Sequence, residues 1–187
     1  MAVITVAQLA IPEVKLITCA RFGDARGFFS ETYSVQAFAE AGLAWTFVQD
    51  NHSRSSHVGT LRGLHYQSPP YAQDKLVRVT RGRIFDVAVD IRKGSPTFGR
   101  HVAAEISADA WNQILVPAGF AHGFVTLEPD TEVIYKVTAP YAPAHDHGIL
   151  WSDPALGIDW PVELATITLS DKDTRHPVLA DAQNLFP

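Results

Sequence analysis

His65 stands in the stretch TLRGLHYQ, Thr60–Gln67, with Arg62 three residues before it and Tyr66 just after it. An imidazole is the side chain most ready to take or give a proton near neutral pH. Arg62 and Lys75 carry positive charge that could stabilise a developing oxyanion. Tyr135 could return a proton from another side. These types together fit removal of a proton next to a carbonyl, an enolate intermediate, and reprotonation. A carboxylate behind the imidazole would fix its tautomer and stabilise the imidazolium. Spacing alone leaves another arrangement open, with Arg62 and Lys75 on exposed strand faces and Tyr135 in the core.

The chain has eight histidines: His52, His57, His65, His101, His122, His145, His147 and His176. Most lie in polar, loop-like contexts and read as solvated surface. His65 and His122 stand out because each sits at the start of a strand-like run. His122 lies in VPAGFAHGF, which resembles the second motif of cupins, a superfamily of small barrels. Many cupins hold a metal with His and Glu from a first motif and the histidine of this second one. Here the first-motif position reads His65-Tyr66-Gln67, then Ser-Pro-Pro, then Lys75. A metal site needs several converging N or O ligands. Only two imidazoles converge on this reading, with an ammonium nearby, so no metal is expected. His122 remains open between a hydrogen-bonded histidine of the barrel mouth and a supporting catalytic group.

Other chemistries lack their motifs. There is no Gly-x-Ser-x-Gly around a serine, no P-loop, and no Gly-x-Gly-x-x-Gly fingerprint. Nucleophilic hydrolysis, ATP chemistry and a bound dinucleotide are therefore not indicated.

The elements that must position these residues are mostly strands. KLVRVTRGRIFDVAVDI, Lys75–Ile91, reads as a hairpin turning near Gly82. Phe85, Val87, Val89 and Ile91 share one face of its second strand, and Asp86 and Asp90 share the other. Gln113–Glu128 reads as strand, Pro-x-Gly turn, strand. Thr131–Pro140 alternates with Val133, Tyr135 and Val137 on one face. One helix is predicted, SVQAFAEAGL, with Ser34 as N-cap and Gly42 near its C-terminal end. A second short helix is expected near Ala180–Phe186. Many short strands with little helix predict an all-β sandwich or jelly-roll barrel, whose concave interior suits a small ligand.

Composition agrees. The 187 residues are 47% hydrophobic and 19% charged, a globular balance that fits one domain over residues 1–187. The net charge of -5 argues against a general nucleic-acid or anionic-membrane surface, though not against a local basic pocket. Cys19 is the only cysteine, which excludes an internal disulfide and a cysteine zinc site. The apolar N-terminus is broken by Pro12, Glu13 and Lys15, so it reads as strand, not signal or anchor. A soluble cytoplasmic protein is expected.

Eight segments, in order, resemble one family. They are FGDARGFFSETY, FVQDNHS, LRGLHYQ, KLVRVTRGRIFDVAVDIRKGSPTFG, VPAGFAHGF, YKVTAPYAP, ILWSDPALGIDWP and LSDKD, running from Phe22 to Asp173. The resemblance is to the dTDP-4-dehydrorhamnose 3,5-epimerases, cupin-fold enzymes that act on sugar nucleotides. It implies a cupin jelly-roll barrel with a few short peripheral helices, and no cofactor. His65 matches the general base that removes protons at C3 and C5 of a 4-keto-6-deoxy sugar. Asp173 matches its paired carboxylate, with Asp171 in the same short motif. Tyr135 matches the acid on the opposite ring face, and Lys75 the lysine near the C4 oxygen. Arg62, His122 and Tyr141 match pocket residues, and Gln49 and Asn51 match polar residues lining the site. Arg26, Phe29 and Glu31 match nucleotide contacts that come from the partner subunit of a homodimer. Asp146 stands where the family often carries Glu. Relatives that invert a single carbon share most of these motifs. Other classes kept in view are a non-catalytic sugar-nucleotide-binding cupin and a metal-dependent cupin.

Overall fold

The structure is a computed structural model that describes residues 4–187. Among the described residues thirteen strands form in chain order. They are β1 (Ile4–Gln8), β2 (Lys15–Cys19), β3 (Phe22–Asp24), β4 (Gly27–Phe29), β5 (Gln49–Ser55), β6 (Leu61–Gln67) and β7 (Lys75–Arg81). Then follow β8 (Arg83–Asp90), β9 (His101–Ser107), β10 (Asn112–Val116), β11 (Phe120–Thr126), β12 (Thr131–Val137) and β13 (Asp146–Gly148). One antiparallel sheet runs β1-β2-β10-β7-β12-β5, and a second runs β13-β6-β11-β8-β9. β3 and β4 make a separate hairpin.

The two large sheets share one core. Val77, Val79, Ile114, Val116 and Val133 from the first pack with Ile84, Ala88, Val102, Ile106 and Phe120 from the second. This is the jelly-roll barrel expected from the many short strands. The outer face of each sheet is covered as well. Helix α1 (Val35–Glu40) lays Phe38 over Ile17, Leu76 and Leu115. The segment after β13 lays Ile149, Leu156, Trp160 and Leu179 over Leu64, Val87, Val89 and Val125. Alternation in β8 is therefore divided as expected: Phe85, Val87, Val89 and Ile91 meet this covering segment. The even positions face the barrel interior beside Ile84 and Ala88, which carries Asp86 inward.

Local chemistry explains the joints. Ser34 caps α1 by accepting from Ala37 N, and Gly42 follows the last turn at φ +78°. β7 and β8 turn at Gly82, and β10 and β11 at Pro117–Gly119, where both glycines hold positive φ. The helix expected near Ala180–Phe186 is instead one 3-10 turn, Leu179–Asp181. Asn184 takes a left-handed φ of +58°, which stops a helix from continuing there. The N-terminal strand reading holds for Ile4–Gln8 and Lys15–Cys19, and its first three residues lie outside the described ones. Among the described residues no helix is long and apolar enough to cross a membrane.

Candidate active site

A cavity of about 410 Å³ opens between the sheets, lined by Arg62, His65, Lys75, His122, Tyr135 and Asp173 among others. Strand parity alone would point Arg62 and His65 to opposite faces, because they lie three apart. A bulge corrects this. His122 pairs with His65, and Phe124, two residues on, pairs with Arg62, so β6 carries one extra residue between the pairs. Gly63 makes the bulge possible. Its φ is +136°, and a Cβ there would lie 2.5 Å from the Cα of Gly123. Both side chains thereby reach the cavity, while Leu64 and Tyr66 turn to the outer core.

His65 Nε2 lies 2.5 Å from Asp173 Oδ1. Asp173 begins a 3-10 turn, Asp173–Arg175, and is buried, whereas Asp171 is exposed. Only Asp173 of the two meets the imidazole. Burial lowers the pKa of His65 more than the neighbouring Asp173 raises it. Burial also opposes ionisation of Asp173, but the flanking imidazoles of His176 and His65 outweigh it and hold that carboxyl well below the usual range. Both shifts describe one pair of states, a neutral imidazole against an ionised carboxylate. With Nε2 engaged, Nδ1 is the nitrogen left for a ligand.

Lys75 is held inward on β7 with Val77 and Val79. Its Nζ donates to the backbone oxygen of His65 at 3.3 Å. Burial pulls its pKa down to about 8, against the pull of Asp146 and Asp86 in the other direction. Tyr135 projects from the facing sheet beside Val133, and burial raises its pKa. His122 turns from the cavity wall to Asp86, with Nε2 2.8 Å and 3.0 Å from the two carboxylate oxygens. Burial pushes the Asp86 carboxyl up, while His122 and Lys75 act against that shift.

The other residues singled out by the resemblance lie at the rim or beyond it. Tyr141 OH donates to Asp146 Oδ2 at 2.9 Å, and Lys172 Nζ pairs with the same oxygen. Gln49 donates to Asn51 Oδ1 at 2.9 Å and accepts from Tyr141 N at 3.0 Å. Asn51 is the cross-strand partner of Tyr135. Arg26, Phe29 and Glu31 are all exposed on or beside the β3–β4 hairpin and do not line this cavity. Phe29 is 71% exposed.

Sequence reasoning missed several residues. Lys172, Ser170 and Ser53 line the cavity, and Asp86 backs His122. Inward parity in β8 could have flagged Asp86; nothing local marks Ser53. The surface reading of His176 is corrected: its side chain is 9% exposed, and the ring meets His65 edge to face at 5.6 Å. The cause is a fold-back after the 3-10 turn, fixed where Leu150 N donates to Pro177 O at 2.7 Å. His145 and His147 are also half-buried, both contacting Ser68 Oγ.

His176 also corrects the count of converging imidazoles. His65, Asp173 and His176 offer ligand atoms within 4.8 Å of one another. The 2.5 Å between His65 Nε2 and Asp173 Oδ1 is hydrogen-bond geometry. Ligands bound at about 2.0–2.1 Å around a tetrahedral ion stand about 3.3 Å apart. His65 and Asp173 form a hydrogen-bonded pair, with His176 Nε2 3.4 Å from the shared oxygen.

Comparison with known proteins shows the family. The family profile for dTDP-4-dehydrorhamnose 3,5-epimerase matches residues 8–181. A dTDP-4-dehydrorhamnose 3,5-epimerase of Pseudomonas aeruginosa is 54% identical over 181 residues, spanning 96% of this chain and 98% of its own length. One from Sinorhizobium fredii is 54% identical over 174 residues, spanning 93% of this chain and 89% of its own. The crystal structure of a dTDP-6-deoxy-D-glucose-3,5-epimerase from Legionella pneumophila, in complex with dTDP-4-keto-L-rhamnose, superposes with a TM-score of 0.93. It is 44% identical and covers 98% of each chain. Barrel and sequence thus agree over nearly the whole length: this chain belongs to the dTDP-4-dehydrorhamnose 3,5-epimerase family.

Proposed function

We propose that this chain epimerises dTDP-4-dehydro-6-deoxy-D-glucose at C3 and C5 to give dTDP-4-dehydro-L-rhamnose, in deoxysugar nucleotide biosynthesis. The observation that carries the reading is the His65–Asp173 pair on one wall of the cavity, with Tyr135 and Lys75 on neighbouring strands of the facing sheet.

The C4 ketone acidifies the protons on both flanking carbons, so one base serves both centres and no redox cofactor is needed. His65 Nδ1 takes the proton, and Asp173 stabilises the imidazolium that forms. The Lys75 ammonium faces the C4 oxygen and stabilises the enolate. Tyr135 delivers a proton to the opposite face, which inverts the centre. Arg62, His122, Tyr141 and Asp146 hold the sugar and diphosphate, with Gln49 and Asn51 ordering the Tyr141 side. Arg62 suits bidentate contact with phosphate.

The same reading makes the protein a homodimer in which Arg26, Phe29 and Glu31 of one subunit complete the nucleotide site of the other. Exposed Phe22, Phe28 and Phe29 on one hairpin support a covered face there. The chain acts as one catalytic domain. A cytoplasmic location accords with a lone cysteine and no disulfide. An epimerase of a single centre is the second reading, since it uses the same base, acid and ketone.

The deciding experiment is turnover of dTDP-4-keto-6-deoxyglucose in deuterium oxide, followed by NMR. Deuterium at both C3 and C5 is expected. Label at one carbon gives the single-centre enzyme, and label at neither leaves a binding protein.

A further inference from the structure

We propose that His176 is a positioning residue that aims Asp173 at His65. The inference rests on reading His65 and Asp173 as the proton-transfer pair.

The His176 side chain is 9% exposed, and its Nε2 is the one buried side-chain polar atom among the described residues without a hydrogen-bond partner. Such an atom is costly to keep, so a use is expected of it. It lies 3.4 Å from Asp173 Oδ1, the same oxygen that meets His65 Nε2 at 2.5 Å. A small rotation of the ring would bring an N–H from His176 onto that oxygen. The ring also stands edge to face on His65, at an interplanar angle of 76°.

A glycine makes the space. Gly148 pairs with His65 across β13 and β6, and a Cβ at Gly148 would lie 2.3 Å from His176 Nε2. The backbone at Gly148 is not in the left-handed region, so it needs no glycine on its own account. The missing side chain serves the ring that lies over it.

With the ring so turned, two imidazoles on one carboxylate oxygen would fix that oxygen from two directions. His65 then keeps Nε2 toward Asp173 and Nδ1 toward the cavity, in the tautomer that a base requires. His176 does not reach the cavity wall, so it acts through Asp173 and touches no substrate atom.

The test compares His176→Phe, which fills the space without a donor, with His176→Gln, which keeps an N–H. In the Phe variant kcat should fall about 10-fold or more with KM unchanged, as losses of outer hydrogen-bond partners do. The acid limb of its kcat/KM profile should move to higher pH, because Asp173 then gives its charge to His65 alone. The Gln variant should recover most of the rate. In an Asp173→Asn background His176→Phe should cost nothing further, because residues that act as one unit are not additive. Wild-type kcat and pH profile in His176→Phe, or a full additional loss in the Asp173→Asn background, would overturn the proposal. If the Phe variant does not fold, His176→Ala is judged by the same readouts. Asp173→Asn alone, with His176 intact, separates a failure of the base pair from a failure of His176.

Discussion

His65 Nε2 and Asp173 Oδ1 lie 2.5 Å apart, although 108 positions separate the two residues in the chain. The contact joins the middle of β6 to a 3-10 turn that follows the last strand. It orients the imidazole and leaves one nitrogen free. In the proposed mechanism Asp173→Asn lowers kcat by about 10²- to 10⁴-fold, the range for a lost general base, with circular dichroism unchanged. Asp171→Asn, at an exposed position, stays within a few-fold of the parent. Equal rates for Asp173→Asn and the parent would sink the pairing.

Lys75 should set the alkaline side of the pH profile. In the proposed mechanism its ammonium form stabilises the enolate, and burial lowers its pKa to about 8. Activity should therefore fall as pH rises through about 8. In the same mechanism His65 works in the opposite sense, because the neutral imidazole is the proposed base. Burial lowers its pKa from 6.5, so the acid limb should lie below that value. The profile of kcat/KM against pH checks both limbs, and Lys75→Gln should lose the alkaline one.

The exposed β3–β4 hairpin gives a prediction about assembly. Phe29→Ala should raise KM for the nucleotide sugar about 10-fold or more, since a stacking aromatic contributes about 1–3 kcal/mol per base. His65→Asn should inactivate the cavity of its own subunit. Mixed dimers of Phe29→Ala and His65→Asn should then regain one site of parental KM, formed by a His65 cavity and an intact Phe29 from its neighbour. No recovery on mixing would place the whole site within one chain.

Gly63 gives a prediction about stability. Gly63→Ala would force a Cβ to 2.5 Å from Gly123 Cα at a φ of +136°. The expected cost is about 2–4 kcal/mol, read as a lower midpoint in thermal or urea unfolding. Any folded variant should also lose activity, because the bulge is what brings Arg62 and His65 to one face.

The sequence by itself determined the material of the fold. The period-two pattern of Phe85, Val87, Val89 and Ile91, the turns at Gly82 and Pro117–Gly119, and the Ser34 cap are local features. Local backbone chemistry decides each of them. The ordered motifs from Phe22 to Asp173 also identified the family and named the residue types of the site. Tertiary structure decided convergence. Alternation placed Arg62 and His65 on opposite faces until the Gly63 bulge reversed it. The resemblance pointed to Asp173 with Asp171 two residues away in LSDKD, and one 3-10 turn buries Asp173 against His65 while Asp171 stays exposed. His176 read as surface until the chain folded back over Gly148. Periodicity reports which face a side chain takes. Which faces meet is set by pairings between distant strands, and those depend on the whole barrel closing.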